Sequence, residues 1–254
     1  MSAKQRAEVV PEGPGPRPAF YALAPGGWRD YWTLLHPPYT AWHLGYVVIG
    51  GALAPRTDWP VLGLTVLAFL LAMGIGAHAL DELRGRPLRT RIPSRTLVAL
   101  AAVSIAAAAG IGAAVAVQRS LWLLAFVAFG AFVVVAYNLE LFGGRFHTDL
   151  WFGLAWGGFP VLTAYFAVAG RIRVEALLAA AFAVVFSLAQ RVLSTPVRDA
   201  RRRVESVAGT ITFRDGTSRL LPSDALSGSQ ERALKLLAAA TVLLAAALTT
   251  RRFI

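Results

Sequence analysis

Two stretches of this chain mix carboxylates with arginines at spacings that suit a divalent cation holding phosphate. The first runs from Leu80 to Pro93 and carries Asp81, Glu82, Arg84, Arg86, Arg89 and Arg91 directly behind an apolar span of about twenty residues. The second runs from Val197 to Glu205 and carries Arg198, Asp199 and the arginines 201–203, again behind an apolar span. Magnesium takes one or two carboxylates and completes its shell with substrate phosphates and water. Arginine's planar fork matches phosphate oxygens. On this chemistry Asp81 and Glu82 hold a divalent cation while Arg84, Arg86, Arg89 or Arg91 grip phosphate oxygens, and Asp199 and Glu205 with their arginines offer a second such loop. The plainer readings are a helix terminus with snorkelling arginines for the first stretch and a basic stop-transfer patch for the second.

A third cluster, Glu140, Arg145, His147 and Asp149, follows Tyr137 and Asn138 and reads as a polar helix connection or as the wall of a pocket. The four histidines, His36, His43, His78 and His147, make a haem or metal cluster conceivable, because imidazole is the commonest metal ligand. No two of them lie on one helix at ligand spacing; His78 stands a full turn before Glu82. The absence of cysteine excludes disulfides, thiolate catalysis and zinc–cysteine sites.

Hydropathy dictates the elements that must position these groups. Hydrophobic residues make up 56% of the chain and charged ones 15%, with a mean hydropathy of +0.57, outside the range of soluble domains. A helix crossing the roughly 30 Å hydrocarbon core needs about 20 mostly apolar residues. Stretches near 40–55, 60–80, 97–117, 120–138, 149–169, 174–194 and 233–250 qualify, and predict an all-α polytopic bundle of about seven helices. With the N-terminus in the cytoplasm, 19 lysines and arginines fall on the cytoplasmic side and 6 on the other. The formal charge of +11 therefore reads as membrane topology and not as nucleic-acid binding. Arg251 and Arg252 fall on the disfavoured side.

Residues 1–35 read as a cytoplasmic tail, Pro/Gly-rich at 11–18, ending in an interfacial segment with Trp28, Tyr31 and Trp32. Residues 36–254 form the membrane domain, interrupted by a cytoplasmic loop over 195–232. That loop reads first as a partly ordered cytoplasmic cap, the lesser alternative being a small hairpin over residues 210–221 around an Asp215-Gly216 turn. Ser227 to Glu231 offers N-caps for the last helix. Gly45, Gly50, Gly51, Gly74 and Gly76 read as close helix packing.

Several of these residues resemble the UbiA-type intramembrane prenyltransferases. His36-Pro-Pro-Tyr-Thr before the Gly50-Gly51 helix is similar to the start of that family's first helix. Asp81 to Pro93 resembles its first aspartate-rich motif. Tyr137-Asn-Leu-Glu, Gly143-Gly144 and the segment Asp149 to Gly157, with Pro160 and Tyr165-Phe166, resemble its fourth-to-fifth helix stretch. Arg198-Asp199 with Glu205 and Gly209-Thr210 resembles the second aspartate-rich motif. The resemblance covers about residues 35–215. It departs at Ala77, where the family carries Asn, at Gly85 and Arg203, where it carries further acids, and in helix number, about nine in the family.

The resemblance implies an all-helical, Mg²⁺-dependent transferase in which Asp81 and Asp199 anchor Mg²⁺, Glu82 and Glu205 assist, and Arg86, Arg91 and Arg198 hold the diphosphate. It would move a polyprenyl group from an isoprenyl diphosphate to a lipophilic acceptor inside the membrane. Tyr39, Trp42, Tyr46, Tyr137 and Trp156 are candidates to line its cavity. The missing acids favour an alternative, a non-catalytic relative that binds an isoprenoid lipid or serves as a subunit of a membrane complex. Alanine and arginine richness suggests a bacterial cell membrane.

Overall fold

The computed structural model describes residues 17–252. A short helix α1 (Trp28–Leu34) precedes α2 (Pro37–Leu53), α3 (Trp59–Leu83), α4 (Ser94–Arg119), α5 (Leu123–Asn138), α6 (Asp149–Ala169), α7 (Val174–Arg203) and α8 (Gly228–Thr250). Helices α3, α4, α6, α7 and α8 are long and apolar enough to cross a membrane. Helix α5 is apolar but has only 16 residues, and the 17-residue α2 is short for a span. Five spans therefore stand on length and composition, where the sequence led us to expect seven. The outward faces carry the membrane signature: Val103 and Val117 on α4, Leu178 and Val185 on α7, and Leu236 and Leu243 on α8 are all exposed. Apolar side chains turned outward along helices whose backbone bonds are satisfied internally are what a lipid solvent requires.

Local chemistry explains the helix ends. The Asp58 carboxylate accepts from the Val61 amide at 3.1 Å and caps α3, with Pro60 in the first turn, where its missing N–H costs nothing. Thr148 caps α6 through the Trp151 amide. Gly170, at φ 67°, ends α6 in the left-handed conformation that glycine adopts without strain. Ser227 occupies the N-cap of α8, but its side chain makes no capping bond.

The centre of the bundle is packed through small residues. A Cβ on Gly50 would run into the Val161 backbone of α6, and one on Gly157 into the Ala183 backbone of α7. Trp42, Tyr46, Val161, Ala183 and Leu234 form the core where α2, α6, α7 and α8 meet. Met73, Leu80, Leu97, Val133 and Trp156 form another where α3 to α6 meet. At the far end Arg252 donates to the carbonyls of Ala52, Ala54 and Pro55, just past α2. A cation at a helix C-terminus satisfies otherwise orphaned carbonyls. That gives Arg252 a structural reason to sit where charge bias disfavours it.

The 195–232 loop does contain the hairpin: β1 (Thr210–Thr212) pairs antiparallel with β2 (Ser218–Leu220). Gly216 takes φ 83° in its turn. Asp215 accepts from the Thr217 hydroxyl and amide, which hold its carboxyl below the usual range.

Most of the 11–18 tail lies outside the described residues. The segment after it packs on the bundle, with Ala19 and Ala22 buried against Leu88. Helix α1 leaves Trp28, Tyr31 and Trp32 exposed, as an interfacial segment would.

Candidate functional site

Two helices of this bundle contain an internal π-helical segment, Leu70–Ala77 in α3 and Gly153–Gly158 in α6. Such segments widen the helix locally and recur at functional sites. Both flank one cavity of about 390 Å³, which takes Met73, Ala77 and Trp156 from them. The volume falls within the roughly 300–1,000 Å³ of small-molecule sites.

The cavity collects most of the polar residues that the sequence scatters. Asp81 and His78 enter from α3, His36, Tyr39 and His43 from α2 and its start, and Tyr137, Asn138 and His147 from the end of α5 and the turn after it. Gln190, Arg191, Ser194, Arg198 and Arg202 enter from α7. Residues 18–21 close one side, with Phe20 5.2 Å from Tyr21 and under the Lys235 ammonium at 4.9 Å.

Asp81 and Glu82 part ways here. The Asp81 side chain lines the cavity and makes no hydrogen bond with another described residue. Glu82 is wholly buried on the other side of α3. Its two oxygens accept from the Leu88 amide at 2.9 Å, the Thr90 amide at 2.9 Å and the Thr90 hydroxyl at 2.8 Å. It holds the loop between α3 and α4 closed and has no part in the cavity. Arg86 is spent on that same loop, on the Ile92 carbonyl at 2.5 Å and Ser94 at 2.7 Å. Arg91 is exposed, and its amide donates to Asp30.

From the second stretch, Arg198 lines the cavity. Asp199 is exposed and pairs loosely with Arg203 at 3.8 Å. Glu205 is exposed beyond the end of α7. The carboxylates of the two stretches therefore do not share a site, although Asp81 of the first and Arg198 and Arg202 of the second line the same cavity. Of the four carboxylates expected to bind Mg²⁺, Asp81 alone reaches the cavity, and no group of three or more His, Asp or Glu side chains able to hold an ion occurs among the described residues. This donor set does not fit a paired-magnesium site.

Of the aromatic candidates, Tyr39, Tyr137 and Trp156 line the cavity. Trp42 and Tyr46 do not. They lie fully buried in the α2–α7–α8 core, where the Trp42 indole donates to the Tyr46 hydroxyl at 2.6 Å and Ser187 donates to it at 3.2 Å.

The four histidines converge on this cavity although no two share ligand spacing in sequence. The rings of His36 and His78 stand 4.0 Å apart and those of His147 and Tyr137 4.4 Å. In each histidine Nδ1 faces a main-chain carbonyl: Leu34, Tyr39, Gly74 and Tyr137, at 2.6–3.0 Å. A carbonyl only accepts, so Nδ1 carries the proton and Nε2 is the nitrogen left free in the neutral ring. Burial, and then the adjacent His78, hold the His36 imidazole well below the usual histidine range. Burial likewise pushes the Tyr21 phenol up.

A smaller cavity of about 100 Å³ lies beside the first and is lined almost wholly by apolar side chains of α3 to α6, among them Ile105, Phe126 and Phe159. Met73 and Trp156 belong to the walls of both.

Gln190 and Arg191 are cavity residues that the two acid–arginine stretches leave out, and Arg202 stands in the second stretch only within a triplet read as a basic patch. Their signal is the polar row Ser187, Gln190, Arg191, Ser194, Arg198 and Arg202, one face of α7 at helical spacing through an otherwise apolar span. Comparison of the chain with models of known families, with curated proteins and with solved structures finds no match.

Proposed function

We propose that this protein binds, within the membrane, an isoprenoid lipid carrying a phosphate or diphosphate head. The observation that carries the reading is the pairing of chambers. A cationic one, with Arg198 and Arg202 on the helix face that also carries Arg191 (paired with Asp149 at 2.9 Å), meets an apolar one at Met73 and Trp156. An amphiphile with an anionic head fits that pair in one orientation, head against the guanidiniums and tail among Ile105, Phe126 and Phe159. Arginine suits the head because it stays charged when buried and grips phosphate oxygens bidentately. Ile111, Gly112 and Val127 on the apolar wall reach the bundle's outer face, where Gly112 of α4 packs directly on Val127 of α5.

This is the binding alternative within the UbiA-like resemblance. Magnesium-dependent prenyl transfer is the second reading. The presence of Asp81 in the same cavity as the arginines favours it, and the placement of Glu82, Asp199 and Glu205 elsewhere weighs against it.

The test uses the full chain in nanodiscs with labelled geranylgeranyl diphosphate, with Mg²⁺ or with EDTA. Binding that persists in EDTA and falls at least tenfold in Arg198→Ala/Arg202→Ala supports the binder. Release of diphosphate that needs Mg²⁺ and disappears in Asp81→Ala establishes transfer chemistry instead. Binding indifferent to the arginines overturns the anionic head.

A further inference from the structure

Polar atoms buried in a protein nearly always find a partner, because stranding one costs about 1–3 kcal/mol. Four side chains on the wall of the large cavity break that rule: Arg202 Nε, which belongs to the arginine row, and three others. His43 Nε2, the Tyr137 hydroxyl and Gln190 Oε1 have no hydrogen-bond partner within the protein. Each residue is more than nine-tenths buried, at 7%, 5% and 4% exposure. They come from three helices, α2, α5 and α7. Two of them share one aromatic neighbour: the Phe152 ring lies 6.0 Å from His43 and 6.2 Å from Tyr137. The Arg191 guanidinium covers that same ring at 5.2 Å, one residue along α7 from Gln190.

The chemistry of these atoms is specific. His43 Nδ1 donates to the Tyr39 carbonyl at 2.6 Å, so Nε2 of the neutral ring is an acceptor. Gln190 Oε1 is a second acceptor, and the Tyr137 hydroxyl gives or accepts. An anionic oxygen answers neither acceptor. An ammonium would answer both, but it would add to the charge of Arg198 and Arg202, which the one unpaired carboxylate of the cavity, Asp81, offsets only in part, and like charges in a site of low dielectric repel strongly. A hydroxyl is the group that donates to one partner and accepts from another without bringing charge.

We infer that His43, Gln190 and Tyr137 form a subsite that reads a hydroxyl group, separate from the arginine row and opening on the same cavity. The ligand class is a neutral alcohol on a lipophilic body. The inference rests on the proposed lipid binding only in placing the tail in the apolar chamber; the anionic head plays no part in it.

The probes are geranylgeraniol and its methyl ether, which share a tail and differ in the one donor. Each competes with tritiated geranylgeraniol for the full chain in nanodiscs. Sites built to hydrogen-bond a hydroxyl reject analogues without it strongly, and we expect the alcohol to displace the label at a concentration at least tenfold below the ether. In His43→Phe, which keeps a ring against Phe152, and separately in Gln190→Leu, that ratio falls toward one. Binding of geranylgeranyl diphosphate, followed in parallel, stays within about twofold in both variants, as expected when the two subsites are separate.

Equal displacement by alcohol and ether in the unaltered protein overturns the subsite and assigns the three atoms to water. A preference that survives both substitutions overturns it too, since the hydroxyl is then read elsewhere. Absence of alcohol binding has the same meaning. If the diphosphate fails to bind while the alcohol preference holds and is lost in the variants, the anionic-head reading falls and this one stands. Two variants on different helices, each checked for a single symmetric peak in size exclusion, separate loss of recognition from loss of fold.

Discussion

The loop between α3 and α4 and the cavity beneath α7 are made of the same residue types and differ in what the charges are left to do. In the loop, Glu82 and Arg86 are consumed: their side chains are turned on the backbone and on Thr90 and Ser94. In the cavity, Asp81, Arg198 and Arg202 face open space with little or no protein partner. An acid–arginine cluster is therefore not one kind of feature. Where the protein satisfies it, it is architecture; where the protein leaves it unsatisfied, it waits for a ligand. The arginines of 201–203 repeat the division in three residues. Arg201 is locked in a half-buried ion pair with Glu231 of α8, Arg202 turns to the cavity, and Arg203 is exposed.

The comparison breaks first at Glu82. Glu82→Ala strands three buried donors and is expected to cost about 3–5 kcal/mol, read as a large fall in the thermal unfolding midpoint in detergent; Glu82→Gln, which keeps one acceptor, falls by less. An unchanged midpoint would show that the loop does not depend on this carboxylate. Next comes Glu231→Ala, which leaves Arg201 unpaired between α7 and α8 and is expected to cost about 2–3 kcal/mol. Arg202→Ala in the same assay moves stability by less than about 1 kcal/mol while weakening anionic-lipid binding.

Acid gives a third, intermediate effect. His36 faces His78 and Tyr21, with the charges of Arg198 and Arg202 nearby, and no carboxylate touches it. It stays neutral in the fold, whereas the unfolded chain takes up a proton near pH 6.5. Its contribution is complete above about pH 6.5 and is lost as pH falls below that, by at most about 1.4 kcal/mol per unit. Unfolding midpoints from pH 7.5 to 5 should fall, and His36→Phe should flatten the slope.

Asp81→Asn should change stability by less than about 1 kcal/mol, because no described residue donates to that carboxylate. Ligand affinity is where its effect is expected, measured with the labelled diphosphate. The smallest change is Asp199→Ala, whose exposed pair with Arg203 is worth at most about 0.5 kcal/mol. A large loss of either binding or stability there would restore Asp199 to the site.

Much of the architecture was legible in the chain. Long apolar runs mark the spans because a membrane helix answers to its own length and composition. Pro60, Gly170 and the Asp215-Gly216 turn mark their positions through local backbone chemistry. The site was legible only in part. Asp81, Arg198, Tyr39, Tyr137 and Trp156 lie in the cavity. Trp42 and Tyr46, read by residue type as cavity aromatics, lie instead in the core, because the turn of α2 that carries them packs on α7 and α8. Gln190 is not singled out by the acid–arginine pattern, and Arg202 stands there only within the triplet 201–203, although the polar row on α7 points to both.

What the sequence determined by itself is therefore everything set by neighbours along the chain: the apolar helices, several of their caps, and the hairpin turn. Only the tertiary structure decided which charges are free. Asp81 and Glu82 are adjacent in sequence but about 100° apart around α3. That rotation sends one to the cavity and the other into the loop. Packing likewise gathers His36 and His43 from α2 and its start, His78 from α3 and His147 from the turn after α5 around one cavity, since helical faces that are unrelated in sequence meet only when the bundle packs.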